Sequence, residues 1–206
     1  MTPGLAARLW TANGDLASAA LAHPFVTGIA DGTLPRDRFT GYVAQDAYFL
    51  EAFARAYALG VAHSRDRAAL EAFADLLAGV REELRLHDGY AAREGIDLGA
   101  VQPAAATLAY TDFLLAAASL EGLGVMCAAM TPCMRLYAHL GRSLAGRSAD
   151  RYSEWVTTYA DPAFEELAAG LERLLDRHAD ETPDVVRAYR RAMTLELGFF
   201  DAAWRG

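Results

Sequence analysis

Apolar residues recur along this chain at intervals of three and four positions, and no convincing alternation of apolar and polar residues occurs. That spacing places apolar side chains on one face of an α-helix, so it predicts an all-α helical bundle. The connections between the periodic segments are short, which favours one compact domain over residues 1–206. The predicted helices cover residues 3–21, 23–35, 35–63, 66–93, 103–119, 122–144, 149–158, 161–178 and 182–204.

Glycine and proline mark several of these boundaries. Gly32 and Gly95 follow periodic segments, where a helix commonly ends, and Pro35 and Pro103 open the next segments, where proline suits a first helical turn. Pro132 lies inside the segment 122–144. Because proline has no amide hydrogen to donate, we expect a local irregularity there.

The longest apolar region, residues 113–134, is long enough to span a membrane. It contains Glu121, Gly122, Gly124 and Pro132, a composition that favours buried helices joined at the glycines. The N-terminal residues lack the charged start and apolar run of a secretory signal. We therefore expect a cytoplasmic protein with no membrane partner.

Charge narrows the range of functions. The formal net charge is -8 and the basic residues are scattered, which argues against nucleic acid as a partner. All 19 Lys+Arg residues are arginine. The absence of lysine excludes a pyridoxal phosphate Schiff base, a phosphate loop that depends on lysine and a lysine general base.

Cys127 and Cys133 are the two cysteines, which are too few for a disulfide framework. On one helix they would point about 240° apart, so they could not easily bond to each other. Cys133 and Tyr137 are four residues apart and share a helix face, which leaves two interpretations open. The thiol is either part of a packed core or a nucleophile beside a phenol.

No familiar metal or phosphate motif occurs. CxxC, HExxH, a glycine-rich phosphate loop and the paired Glu-x-x-His motifs of di-iron bundles are all missing. Glu83 and His87 are four apart and could touch, but two such residues do not make a metal site. The other four histidines are dispersed, and we expect them to be structural or exposed.

Acidic residues interrupt two apolar helix faces. Asp46 lies among apolar and aromatic residues, and Glu196 lies likewise between Met193 and Phe200. A buried acid is costly unless it is hydrogen-bonded. Two such acids, one thiol and several phenols indicate either a helix core with a satisfied acid or a pocket for a flat polar ring. The residues alone do not decide between these.

Five blocks, in order along the chain, resemble the TenA family of thiaminase II enzymes. They are "HPFVTGIADGTLPRDRFTGYVAQDAYFL" at 23–50, "YTDFL" at 110–114, "MTPCMRLY" at 130–137, "WVTTYADPAF" at 155–164 and "LELGFFDAAW" at 195–204. The resemblance covers essentially the whole chain. It implies the haem-oxygenase-like helical fold without haem, and a homotetramer.

The resemblance also implies which residues act. The nucleophilic cysteine of the family falls on Cys133, its pyrimidine-binding aspartate on Asp46 and its C-terminal glutamate on Glu196. One of the two acids would polarise the ring, and Cys127 would be structural. The aromatic residues implied for substrate binding are Phe49, Tyr110, Tyr137, Tyr159 and Phe199.

The implied reaction is hydrolysis at a pyrimidine methylene in thiamin salvage. The substrate would be an aminomethylpyrimidine or thiamin, and no metal or organic cofactor would be needed. Two alternatives are a cofactor-independent oxidase of the pyrroloquinoline-quinone biosynthesis type and a non-enzymatic protein that binds pyrimidine or thiamin. The oxidase would need basic and histidine residues in its pocket.

Phe49 departs from the family pattern, which often has a stacking tyrosine at this position. Phenylalanine keeps a stacking face but cannot donate a hydrogen bond, although Tyr48 lies next to it. This difference puts substrate choice in doubt and leaves the expected reaction class unchanged.

Overall fold

The computed structural model describes residues 3–147 and 150–206, and helices account for most of that part of the chain. Two short 3-10 turns, Leu98–Ala100 and Asp150–Tyr152, also occur, and the described residues include no strand. The α-helices are α1 (Leu5–Ala12), α2 (Gly14–Leu21), α3 (Pro24–Asp31), α4 (Arg36–His63), α5 (Arg67–Glu94), α6 (Ala105–Leu120), α7 (Leu123–Leu144), α8 (Ser153–Ala160), α9 (Pro162–His178) and α10 (Pro183–Arg205).

Capping residues set several helix ends. The Asp66 side chain accepts a hydrogen bond from a first-turn amide of α5, and Asp161 and Thr182 do the same for α9 and α10. Gly32 and Gly95 end α3 and α5 with φ of 74° and 71°, in the left-handed region that favours glycine. These are the boundaries that the glycine and proline pattern predicted.

The prediction of a single helix over residues 3–21 was wrong, because the segment breaks at Asn13. Asn13 has φ -110° and ψ 18°, and its side-chain amide donates a 2.8 Å hydrogen bond to the Leu9 carbonyl. Its side-chain oxygen accepts from Arg190 on α10 at 3.2 Å. An asparagine that binds neighbouring backbone competes with helix continuation, and here it separates α1 from α2.

The predicted helix 149–158 begins at Ala149, which lies outside the described residues. The 3-10 turn Asp150–Tyr152 precedes α8, and α8 continues to Ala160, beyond the predicted end.

Helix α7 is buried around its whole circumference from Met126 to Ala138. It packs against α8, α9 and α10, while α4 packs against α5 and α6. The apolar region 113–134 thus forms the end of α6 and much of α7, which are joined at Gly122, as the sequence predicted. Within the described residues, no helix is both long enough and apolar enough to cross a membrane.

Pro132 does not interrupt α7, which continues without a break from Leu123 to Leu144. The predicted irregularity is limited to the hydrogen bond that proline cannot donate to the Ala128 carbonyl. Immediately before Pro132, the Thr131 hydroxyl donates a 2.7 Å bond to the Cys127 carbonyl. The helix therefore presents Cys133 from a regular backbone.

Gly141 brings α7 close to the end of α8. A Cβ atom at this position would lie 2.3 Å from the Tyr159 carbonyl carbon, so only glycine permits the observed approach. This backbone contact fixes the distance between α7 and Tyr159.

Candidate active site

A cavity between α4, α5, α7 and the α8–α9 junction collects five of the eight predicted site residues. Its volume is about 10 Å³, which is room for about one water molecule. The predicted residues that line it are Asp46, Phe49, Cys133, Tyr137 and Tyr159. The other lining residues are Leu50, Phe53, Glu83, Met134 and Phe164.

Glu196, on α10, lies against Cys133. Its carboxyl interacts with the Cys133 thiol, and the Tyr110 hydroxyl donates a 2.7 Å hydrogen bond to Glu196 Oε1. Burial raises the pKa of Glu196 to about 8, although the bonds from Tyr110 and Cys133 act in the opposite direction. The buried carboxyl therefore holds a proton near neutral pH.

Cys133 is a protonated thiol in this environment. Burial raises the pKa of Cys133 well above its ordinary value, and the nearby carboxyl groups of Glu196, Glu83 and Asp46 raise it further. Because the thiolate is the nucleophilic form, a base must take this proton during reaction. The Glu196 carboxyl is in place to do so.

Cys127 has a different position on α7. It is fully buried, does not line the cavity and is free of any disulfide. Burial raises the pKa of Cys127 to about 12, and, unlike Cys133, this thiol has no carboxyl group among the described residues beside it to take its proton.

Tyr137 ends a chain of hydrogen bonds that the sequence did not reveal. The Trp155 indole donates to the Tyr42 hydroxyl at 3.3 Å, and Tyr42 donates to the Tyr137 hydroxyl at 3.2 Å. Since an indole nitrogen only donates, the Tyr42 oxygen accepts from Trp155, and the Tyr42 proton is free to be donated to Tyr137. With the bond in that direction, the Tyr137 proton can be donated towards a ligand or towards sulfur.

Phe49 forms an aromatic wall of the cavity. Its ring centroid lies 4.8 Å from that of Tyr110 and 6.0 Å from that of Phe199. Phe199 contacts Phe49 but lines a separate cavity near the end of α10, so its predicted contact with substrate stays a prediction. Tyr48 is half-buried and is not among the residues that line the cavity.

Asp46 is paired with His87, which sequence reasoning missed. His87 Nε2 lies 2.8 Å from Asp46 Oδ2, and His87 Nδ1 lies 2.9 Å from the Glu83 carbonyl oxygen. Burial alone would lower the pKa of His87, but the hydrogen bond and charge of Asp46 outweigh it and raise the pKa to about 9. Both ring nitrogens then donate, and the resulting imidazolium fixes the position of Asp46.

Glu83 is the second residue that the sequence did not assign to the site. The Tyr159 hydroxyl donates a 2.6 Å hydrogen bond to Glu83 Oε1. Burial and the charge of Asp46 raise the pKa of Glu83 to about 7. The spacing of Glu83 and His87 put both on one face of α5, but their partners lie on α8 and α4, and pairing between helices is not visible in a single sequence.

The remaining histidines lie away from the cavity lining. His23 caps α3 by accepting from the Phe25 amide at 3.1 Å, and His139 packs its ring 5.4 Å from Trp10. Within residues 3–147 and 150–206, no group of three or more histidine, cysteine or acidic residues is placed to hold a metal ion.

An all-α fold that gathers a thiol, two carboxyl groups and several aromatic rings around one small cavity, with a third carboxyl group against the thiol, suits a small, flat, polar molecule. The chain belongs to the TENA/THI-4/PQQC family, whose model matches residues 12–206. The expected TenA-type helical fold is confirmed.

Similar proteins include an aminopyrimidine aminohydrolase of Halalkalibacterium halodurans, which is 36% identical and aligns over 97% of this chain and 95% of its own length. The aminopyrimidine aminohydrolase of Bacillus subtilis is 31% identical over 82% of this chain and 74% of its own. A crystal structure described as a TenA family transcription regulator from a Silicibacter species superposes with a TM-score of 0.93, at 29% identity and 98% coverage of both chains.

Proposed function

We propose that the protein is a cysteine-dependent aminopyrimidine hydrolase of the thiaminase II type, acting in thiamin salvage. The observation that carries this proposal is the Cys133 thiol, which lines a small cavity with the Phe49 ring and lies against the Glu196 carboxyl. The two relatives named aminopyrimidine aminohydrolase support the same reaction for this chain. The substrate is an aminomethylpyrimidine, or thiamin, and the pyrimidine product is hydroxymethylpyrimidine.

Substrate binding uses the aromatic wall and Asp46. The pyrimidine ring stacks on Phe49, where an offset aromatic contact is worth roughly 0.5–1.5 kcal/mol beyond burial. Asp46, oriented by His87, accepts a hydrogen bond from the amino group on the ring. The hydroxyls of Tyr137 and Tyr159 lie on the same cavity wall and complete the polar contacts.

In the first chemical step, Glu196 gives its proton to a ring nitrogen and takes up the proton of the Cys133 thiol. The sulfur forms a bond to the ring carbon next to the one that bears the methylene, and the displaced π pair moves onto the protonated nitrogen. Glu196 is neutral before and after this step, which agrees with its raised pKa. A thiol with a raised pKa can therefore add without a free thiolate being formed beforehand.

In the second step, the substrate reacts in its ammonium form, the electron pair of the ring amino group moves inward and the methylene C–N bond breaks. The bonding pair stays on the leaving nitrogen, which departs as neutral ammonia, and an exocyclic alkene remains. Water adds to the alkene carbon, and the proton that the water loses leaves with ammonia as ammonium. Reversal of the first step breaks the C–S bond and restores the aromatic ring and the thiol.

The oxidase alternative lacks support in the cavity. An acidic polycyclic substrate would need cationic partners, yet His87 is the cationic side chain beside the cavity and it is bonded to Asp46. A non-enzymatic binding protein would not need a thiol against a carboxyl group. Neither alternative accounts for the pairing of Cys133 with Glu196.

The proposal is tested by incubating the protein with the aminomethylpyrimidine and with thiamin and identifying hydroxymethylpyrimidine by mass spectrometry. Cys133→Ser should lower kcat on the order of 10³-fold or more, as loss of an enzymic nucleophile does, while the pyrimidine still binds. Cys127→Ala is the matched control on the same helix and should mainly cost stability. Equal activity loss in both folded variants, or no product from the wild type, would contradict the proposal.

Cofactor independence follows from the same chemistry, since each step uses only carboxyl, thiol and water. Protein treated with a chelator and dialysed should keep its full kcat. Recovery of activity that depends on added iron or zinc would count against this mechanism.

We further propose a homotetramer of one-domain chains in the cytoplasm, on the family resemblance alone. Light scattering of the purified protein measures the assembly directly.

A further inference from the structure

The proposed reaction leaves one carboxyl group of the cavity without a role. Glu83, on α5, lines the same cavity as Cys133 and contributes to neither ring protonation nor thiol deprotonation in the steps above. It also lines a larger cleft of about 350 Å³ on the outer side, walled in part by the apolar residues Leu86 and Leu167.

The cleft and the cavity share three wall residues, which are Glu83, Met134 and Phe164. Met134 and Phe164 are apolar, and Glu83 is the acidic residue common to both walls. A substituent that projects from a ring in the cavity towards the cleft would therefore pass the Glu83 carboxyl. The cleft, at about 350 Å³ against about 10 Å³ for the cavity, offers room for a projecting group.

The Glu83 carboxyl is held in a defined position. Tyr159 donates a 2.6 Å hydrogen bond to its Oε1 atom, and the backbone carbonyl of the same residue binds the ring of His87. Tyr159 is itself fixed by the close approach of α7 at Gly141. Such a carboxyl can recognise a ligand group at a set distance from the ring.

The local charges favour an added cation. Asp46, Glu83 and Glu196 face one region, and the positive charge nearby, on His87, is bonded to Asp46. In the described part of the chain Glu83 forms no ion pair with an arginine. Burial and the charge of Asp46 raise the pKa of Glu83 to about 7, so a ligand cation would stabilise its ionised form.

We propose that Glu83 binds the ammonium group of the amine that leaves the pyrimidine methylene, and thereby selects substrates with a cationic leaving group over neutral ones. This inference rests on the proposed function, because it assigns the leaving group of that reaction to the cleft side of the cavity. It makes Glu83 a specificity-determining residue, separate from the groups that move protons at the ring and sulfur.

The test compares two substrates that share one pyrimidine: the aminomethylpyrimidine, which is cationic, and its N-formyl derivative, which is neutral. In Glu83→Gln the ratio of their kcat/KM values, cationic over neutral, should fall about tenfold or more, the usual worth of a charge-assisted hydrogen bond. Glutamine still accepts from Tyr159, so the wall is preserved. Glu83→Asp keeps the charge and should retain part of the preference.

Asp88→Asn is the control, since it removes the same charge from an exposed position of α5 and should leave the ratio unchanged. Dissociation constants of both pyrimidines, measured by calorimetry in a Cys133→Ser background with and without Glu83→Gln, give the same ratio without turnover. If neither pyrimidine is hydrolysed by the wild type, the proposed function fails, and calorimetry still decides the role of Glu83. An unchanged ratio in Glu83→Gln, by kinetics or by binding, overturns the inference.

Discussion

Two groups of carboxylates lie on different sides of α7, and they differ in what neutralises them. On the side facing α9, Arg135 binds Glu172 through two hydrogen bonds of 2.8 and 2.6 Å and Glu165 through one of 2.7 Å. On the cavity side, Asp46, Glu83 and Glu196 share one nearby cation, His87, which bonds to Asp46.

This difference separates structural charge from reactive acid on one helix. The arginine fork binds both glutamates and holds α7 against α9. In the cavity, burial without a matching cation keeps protons on Glu83 and Glu196 near neutral pH. Removing charge from the group around Arg135 should therefore change the stability of the fold. Removing charge from the group on the cavity side should change the rate of the reaction.

The largest effect is expected at Glu196. Glu196→Gln keeps the shape of the side chain but can neither give a proton to the ring nor take one from sulfur. We expect kcat to fall on the order of 10² or more, the usual worth of general acid–base catalysis, with little change in KM. A change confined to KM would make Glu196 a binding residue and Asp46 the better acid.

Arg135→Met tests whether the glutamates bound by Arg135 contribute to stability. It leaves Glu172 without its cation and Glu165 with only its pair to Arg142, and we expect a loss of about 2–3 kcal/mol in the free energy of unfolding. This expected loss is smaller than the loss for breaking a fully buried ion pair, because the Glu165 and Glu172 side chains are 33% and 22% exposed. Arg173→Met, which breaks an exposed pair with Glu166 on α9, should cost less than about 1 kcal/mol.

Denaturant unfolding measures both variants, and kcat per folded molecule should stay at the wild-type value in each. A loss of kcat in folded Arg135→Met would show that the two groups of carboxylates are not independent.

The pH dependence of kcat/KM should identify the reactive acid. Glu196 must be protonated to start the reaction, so activity should fall as pH rises through the pKa of Glu196, about 8. Beyond that point the decrease should approach about tenfold per pH unit. Because the Tyr110 hydrogen bond lowers this pKa, Tyr110→Phe should move the alkaline decrease to higher pH. A shift to lower pH would assign the decrease to another group.

The smallest effect is expected from a hydroxyl added at Phe49. Phe49→Tyr keeps the stacking face and should change kcat/KM by less than about tenfold, the equivalent of about 1.4 kcal/mol. Phe49→Ala removes the wall and should raise KM much more. If Phe49→Ala instead lowers only the melting temperature and leaves KM unchanged, another aromatic residue stacks on the ring.

Much of the fold was predictable because its signals are local. Pro24 and Gly32 bound α3, Pro35 precedes α4 and Gly95 ends α5. The apolar run that forms α7 is continuous enough to indicate a fully buried helix. The break at Asn13 was not predictable in the same way. There Asn13 also accepts a hydrogen bond from Arg190, a residue of α10 that meets Asn13 only in the folded chain.

The site also divides into residues that local sequence signals identify and residues whose roles depend on contacts in the folded chain. Cys133, Asp46 and Glu196 were identifiable as a thiol and two acids in apolar surroundings, and the family resemblance brought them together. His87 and Glu83 were visible only as a pair on one helix. Their roles depend on hydrogen bonds to Asp46 on α4 and to Tyr159 on α8. Neither periodicity nor spacing along α5 indicates which residues of other helices lie beside them.

The small volume of the cavity has a kinetic consequence. A space of about 10 Å³ is far below that of a pyrimidine ring, so association requires the lining side chains to move apart. Phe164 lines both the cavity and the cleft and packs its ring 5.0 Å from that of Tyr159, so its displacement would join the two spaces. The association rate constant then depends on the frequency of that opening as well as on the diffusion of substrate to the surface.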